Sequence, residues 1–257
     1  VVYMNLTQQG EDSGEMLLPT NLFLTVLASF GFGKISKQIT SNLNSINIIS
    51  GLSNPTMMSY ATEALKEASK KEFILNILKK GDTSIQDLEV IEAEKSANFE
   101  EKKKPQLLVS KKEYMGGLAH GKFSFERYES EGTRKLFELS PYIYEAVKEG
   151  RPLVIDEFDA RFHSLLTKRI VQLFNSEENK QTQFIFVTHD TSLLSSSFLR
   201  RDQIEFVEKD EAGASHLYSL AEINGIRAKA SFEKDYRHGK YGAIPLVEDF
   251  SELAANS

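Results

Sequence analysis

The residues with the clearest chemical potential are two adjacent acids, Asp156 and Glu157, which directly follow the apolar run Leu153, Val154, Ile155. A short unbroken apolar run reads as a strand buried on both faces of a sheet, which puts the acids at its carboxyl end. Open α/β sheets bind ligands at that edge. Adjacent carboxylates repel each other unless a cation or a proton-transfer task separates their roles. Such a division suits a nucleotide site, with Asp156 holding Mg²⁺, directly or through water, and Glu157 polarising the attacking water. The plainer reading of the same stretch is a strand that meets a solvated acidic turn.

Two further stretches fit the same task. Residues 183–190 carry the apolar run Phe184 to Val187 into Thr188, His189 and Asp190, a second buried strand with a polar end. His189 there could donate to a terminal phosphate or hold the attacking water. Ser130, Glu131, Gly132 and Thr133 open a helical pattern. A helix opening offers free backbone N–H groups and partial positive charge, Gly132 lets a phosphate come close, and Ser130 and Thr133 add hydroxyls. Taken singly, one is a capped helix start and the other a loop histidine. Their order joins them: helix start, strand with Asp-Glu, strand with His, and a helical segment between each.

The elements that must hold these residues can be sketched from pattern. An apolar stretch from Leu17 to Phe32 reads as a helix ended by Gly31 or Gly33. Gly31, Gly33 and Lys34 lack the G-x-x-x-x-G-K-[ST] spacing of a phosphate loop and read as a turn. Residues 38–51 form an apolar-patterned segment, and 55–80 read as helical, with the Met57–Met58 pair as core. Ile85 to Ile91 suggests a short helix and strand, and Leu107 to Val109 a strand. The charged stretch 93–106, with Lys102 to Lys104, reads as a solvated excursion or a patch for nucleic acid or a partner. Gly116-Gly117 reads as a turn. Alternation from Phe123 to Tyr128 suggests a strand. Residues 129–150 read as helix, broken or restarted at Pro141 with Ser140 as cap, and ended by Gly150. Leu165 to Phe174 gives an amphipathic helix. A short helix near 193–199 precedes a hairpin, 204–207 with 216–218, turning at Ala212-Gly213. The aromatic residues of the tail should pack against the body.

Composition narrows the function classes. Lys and Arg number 31 against 37 Asp and Glu, a net charge of −6, so bulk electrostatics does not favour a general nucleic-acid binder. The absence of cysteine removes disulfides, zinc-thiolate sites and thiol nucleophiles. No apolar run approaches the ~20 residues of a membrane span, and Val1 to Met4 is no signal peptide. The expectation is a cytoplasmic α/β protein.

With these motifs in order, the chain resembles the ABC-class ATPase head of chromosome-maintenance (SMC-type), DNA-repair and overcoming-lysogenization-defect proteins. It is similar to bacterial AAA-type ATP-binding proteins associated with phage defence. Ser130 to Thr133 matches the signature motif, Leu153 to Glu157 the Walker B strand, and Val187 to Asp190 the switch histidine. Asp159 to His163 occupies the place of the D-loop, where relatives often carry Leu-His-Pro. The resemblance implies an α/β fold of the ABC-type ATPase head, with a mainly parallel sheet flanked by helices and a helical subdomain in the N-terminal half. It divides the chain into an insert, 1–128, and a signature, Walker B and switch lobe, 129–257. ATP and Mg²⁺ would be the cofactors. Two heads would sandwich ATP, with Glu157 and His189 catalytic, Asp156 on the metal, and Ser130, Gly132, Thr133 and Asp159 on the nucleotide. Ser130 and Gly132 would act in trans. The dimer would control an effector, for which some relatives use a nuclease of the topoisomerase-primase type.

No Walker A motif occurs in the 257 residues. With Val1 at the start, the expectation is the C-terminal part of a longer polypeptide, inactive towards ATP by itself. Two alternatives stand beside this. One is a catalytically inactive scaffold of the same fold. The other is a metal-dependent phosphoesterase built from Asp156, Glu157, Asp159, His163, His189 and Asp190.

Overall fold

Leu153–Asp156 is strand β5, and it lies in the middle of a parallel sheet. The structure is a computed structural model that describes residues 34–52, 54–91, 105–111, 122–179, 182–226 and 230–244. Helix α1 (Lys34–Asn44) leads into strand β1 (Asn47–Ser50), then helices α2 (Pro55–Ala64) and α3 (Ala68–Gly81). Strands β2 (Ile85–Ile91), β3 (Gln106–Lys111) and β4 (Lys122–Ser124) form an antiparallel sheet in the order β2-β3-β4. A single turn, α4 (Phe125–Tyr128), precedes the long helix α5 (Glu131–Glu149), which feeds β5. Helix α6 (Ser164–Phe174) crosses to β6 (Phe184–Phe186), and β7 (Glu205–Lys209), β8 (Ser215–Ser219) and helix α7 (Phe232–Arg237) follow.

The parallel sheet runs β1-β5-β6, with Ile48 opposite Val154 and Val154 opposite Ile185. The fold is therefore mixed α/β with a parallel sheet flanked by helices. Leu153 and Ile155 are fully buried on the helix-covered face. The other face differs from the expectation of a strand buried on both sides. Ile48 is 73% exposed, Ile185 58% and Val187 54%, because among the described residues no element packs there. An apolar run signals burial but not which layer supplies it.

Helix α5 organises the core. Ser130 caps it, its Oγ accepting from the Thr133 amide at 3.1 Å. Gly150 ends it in the left-handed region at φ 74°, with its amide on the Ala146 carbonyl and that of Arg151 on Glu145. Between these caps the helix is continuous, so the expected break at Pro141 does not occur. Pro141 costs one backbone bond, and the buried Ser140 hydroxyl turns back to the Leu136 carbonyl instead of capping a new start. Leu136, Phe137, Leu139, Ile143 and Ala146 pack with Met57, Ala61, Ile74 and Leu78 of α2 and α3. Phe158, just past β5, sits in the same core among Phe162, Phe184 and Phe186.

Several boundaries shift from their expected places. Residues 38–51 are the end of one helix and a strand, and 55–80 are two helices, the second half starting afresh at Ala68. Asn54 caps the first of these with its Oδ1 on the Met57 amide, 2.9 Å, followed by Pro55. Residues 85–91 are all strand. The alternation of 123–128 misleads: pairing stops at Ser124, and Phe125 drops into the core 4.9 Å from Phe137, which curls 125–128 into one helical turn. The helix expected near 193–199 is a 3-10 turn, Thr191–Leu193. The hairpin forms as expected and makes a second, smaller core, in which Phe206 meets Tyr218, Tyr236 and Tyr241. The expected boundary at 128/129 falls between α4 and α5, while β1 from before it pairs with β5 after it. The helix expected at 17–32, the turn at Gly31 to Gly33, the basic run Lys102 to Lys104 and the Gly116-Gly117 turn lie outside the described residues.

Candidate functional site

The site forms at the carboxyl edge of β5 and β6. Pairing continues past the strands, with Val187 N–H on the Ile155 carbonyl and Phe158 N–H on the Val187 carbonyl, both 2.9 Å. Asp156 and Glu157 therefore emerge on the same edge as Thr188 and His189. Asp156, Glu157 and His189 are exposed. The backbone turns sharply at Glu157, which takes φ 52°, and again at Arg161, φ 64°. Left-handed backbone at residues other than glycine is uncommon and gathers at functional sites.

Asp156 Oδ1 accepts the Glu157 amide at 3.0 Å, and Oδ2 has no partner among the described residues. One free carboxylate oxygen at a strand end fits Mg²⁺, which is held by one or two carboxylates and otherwise by phosphates and water. Asp159, half-buried, is already engaged: its Oδ1 accepts Thr188 Oγ1 at 2.7 Å and the His189 amide at 3.1 Å. It straps the turn after β5 to the loop after β6 and so fixes the backbone that carries His189. The remaining members of the phosphoesterase set are also occupied. Asp190 accepts from the Ser192 amide and from Thr167 Oγ1, and His163 Nδ1 caps α6 through the Leu165 amide. Among the described residues no three His, Asp or Glu side chains gather as a metal cage.

The opening of α5 reaches the same turn. Ser130 Oγ and Thr133 Oγ1 stand 2.8 Å apart, and the first amides of the helix have no partner within it. Gly132 has a closer neighbour than a phosphate in view: a Cβ there would come within 3.0 Å of the Arg161 carbonyl. Glu131 would oppose an anion at this helix end, but Arg161 (3.4 Å) and Arg134 (3.8 Å) offset its charge.

Sequence reasoning missed two residues. Gly51, at the end of β1, donates to the Asp156 carbonyl at 2.5 Å and has no room for a side chain. Lys135, only 1% exposed, sends its ammonium into the acidic turn. Its Nζ donates to the carbonyls of Ala160 (2.5 Å), Phe158 (2.8 Å) and Glu157 (3.4 Å), and lies 4.3 Å from the Phe162 ring centre. Its helical phase, with Leu139 and Ile143 at steps of four, was the available signal.

Burial brings the Lys135 ammonium down from 10.5 to about 8, against the attraction of Asp159 and with the help of Arg161. The unfolded chain therefore holds this proton where the folded chain has lost it, and Lys135 makes stability rise between about pH 8 and 10.5. Below that window its charge is a full cost. The stability difference between wild type and Lys135→Met, from urea titrations across pH 7 to 10.5, should change by about 3 kcal/mol in favour of wild type at the alkaline end. A constant difference would mean that Lys135 does not titrate there.

This edge gathers two acids, a histidine and a helix opening at one end of the sheet. The chain belongs to the family described as AAA domain, putative AbiEii toxin, Type IV TA system, whose profile matches residues 65–195, just over half of its length. That meets the expectation of an ATPase head. No curated protein matches the sequence. Among solved structures, one described as "Structural biochemistry of ATP-driven dimerization and DNA stimulated activation of SMC ATPases" is similar at 16% identity and TM-score 0.43, covering 70% of this chain and 95% of that one. The Smc head domain with a coiled coil and joint from Pyrococcus yayanosii is similar at 18% identity and TM-score 0.42, covering 66% and 29%. The SmcHead bound to the C-winged helix domain of ScpA is similar at 19% identity and TM-score 0.37, covering 58% and 42%. The chain thus spans less than half of the last two. At these scores the likeness does not bear on function.

Proposed function

We propose that the chain is the larger part of an ATPase head that closes as a homodimer around ATP and regulates an effector. The supporting observation is the single edge on which Asp156, Glu157 and the His189 backbone, tied by Asp159, stand beside the opening of α5. Asp156 holds Mg²⁺, which when bound neutralises charge on phosphate oxygens. Glu157 accepts the proton of the attacking water, and His189 donates to the terminal phosphate. Ser130, Gly132 and Thr133 meet the terminal phosphate of the nucleotide held by the opposite copy. Asp159 holds the two loops at a fixed distance and acts on the nucleotide through them.

The Lys and amide cradle for the inner phosphates come from a segment with the G-x-x-x-x-G-K-[ST] spacing, so these 257 residues alone hydrolyse no ATP. The bare apolar face at Ile48, Ile185 and Val187 supports a further layer over the sheet, since parallel sheets are covered on both faces. The family description and the resemblance to phage-defence proteins support a defence role in the cytoplasm. A nuclease of the topoisomerase-primase type is the effector this reading expects, and nucleic acid could meet Lys102 to Lys104. No helix among the described residues is long and apolar enough to cross a membrane. The test is light scattering of the intact polypeptide with and without ATP and Mg²⁺. Mass should double with ATP and fall back as it is consumed; a monomer at saturating ATP would sink the reading.

A further inference from the structure

We propose that Lys135 is the positioning residue of this site: fixed on the carbonyls of Glu157, Phe158 and Ala160, it sets where the Glu157 carboxylate stands relative to the Ser130–Thr133 corner. The proposal rests on the function proposed above and adds a residue to it. A buried ammonium is costly, and a methionine of similar length would fill the same space without that cost. What methionine cannot do is gather three carbonyls from one turn. All three acceptors lie between the two left-handed residues, Glu157 and Arg161. Strained backbone persists only where its surroundings over-determine it, and Lys135 is the cation inside this turn. From outside, the Arg161 carbonyl rests on Gly132 and its guanidinium on Glu131.

The consequence is mechanical. Ser130 and Lys135 share one helix, five residues and roughly 7.5 Å apart along its axis. Any shift of the helix opening on meeting a phosphate across the dimer is carried by a rigid rod to the carbonyl of Glu157. The corner that acts in trans is thereby tied to the base that acts in cis. Lys135 touches no reacting atom, so its part is placement.

Two measurements on the intact polypeptide decide this, using Lys135→Met and Lys135→Arg. The first is amide exchange without nucleotide. The amides of Ala160 and Phe162 are hydrogen-bonded within the turn and that of Phe158 to Val187 just past β6, so they report its opening. Lys135→Met should speed their exchange by about tenfold or more and Lys135→Arg should restore most of the protection, with the β7–β8 hairpin unchanged in both. Unchanged exchange in Lys135→Met overturns the proposal whether or not the protein uses ATP. The second is turnover. Lys135→Met should lower kcat roughly 10- to 100-fold with KM within about threefold, and Lys135→Arg should recover most of it. A loosened turn with normal kcat also overturns the proposal. If wild type neither binds nor turns over ATP, the proposed function fails while the exchange result still decides whether Lys135 holds the turn.

Discussion

Replacing Glu157 by Gln in the intact polypeptide should lower ATP turnover at least about 100-fold while leaving ATP binding in place. Gln preserves the length and shape of the side chain and removes the basic oxygen proposed to take the proton from water. Asp156, whose Oδ2 has no partner among the described residues, is untouched, so the proposed metal position survives. The left-handed backbone at position 157 is no harder for Gln than for Glu, so the fold should be unaffected. Binding without hydrolysis should hold the closed dimer, and light scattering should then show the doubled mass persisting long after wild type has returned to monomer. Two outcomes separate the competing readings. Unchanged turnover would remove Glu157 as the base. Equal, absent turnover in wild type and variant would favour a scaffold that keeps the fold without the chemistry.

Gly51→Ala should be the most damaging small substitution in the sheet. A Cβ at Gly51 would lie 2.1 Å from the Glu157 carbonyl oxygen, 2.6 Å from its carbon and 2.8 Å from the Asp156 carbonyl oxygen. These are backbone atoms of the central strand and its turn, so no rotamer change relieves the overlap. Either β1 separates from β5 or the acidic turn moves, and the cost should reach about 3 kcal/mol or more. Gly213→Ala is the control. It has φ 82° and nothing within 4 Å of the added carbon, so it carries backbone strain without a clash and should cost about 1 kcal/mol. Urea midpoints of the two variants measure the difference. A Gly51→Ala chain as stable as the control would mean that β1 does not lie against Glu157 as described.

Much of the scaffold was legible because it is written locally. The apolar run before Asp156, the cap at Ser130, the amphipathic phase of α6 and the turn at Gly213 each depend on residues a few positions apart. Local pattern was less reliable where a tertiary contact decided the outcome. Phe125 left its strand for a place beside Phe137, and Pro141 stayed in a helix because packing on both sides outweighed one lost bond. The sequence by itself determined the candidates, Asp156, Glu157 and His189, and that two apolar runs deliver them to polar strand ends. Only the tertiary structure decided that Asp159 is spent on Thr188 and His189, that Gly51 is pressed against Glu157, and that Lys135 fills the acidic turn. The reason is physical: hydrogen bonds and close approaches between residues separated by tens to a hundred positions follow from how layers dock, and no period in the chain encodes that.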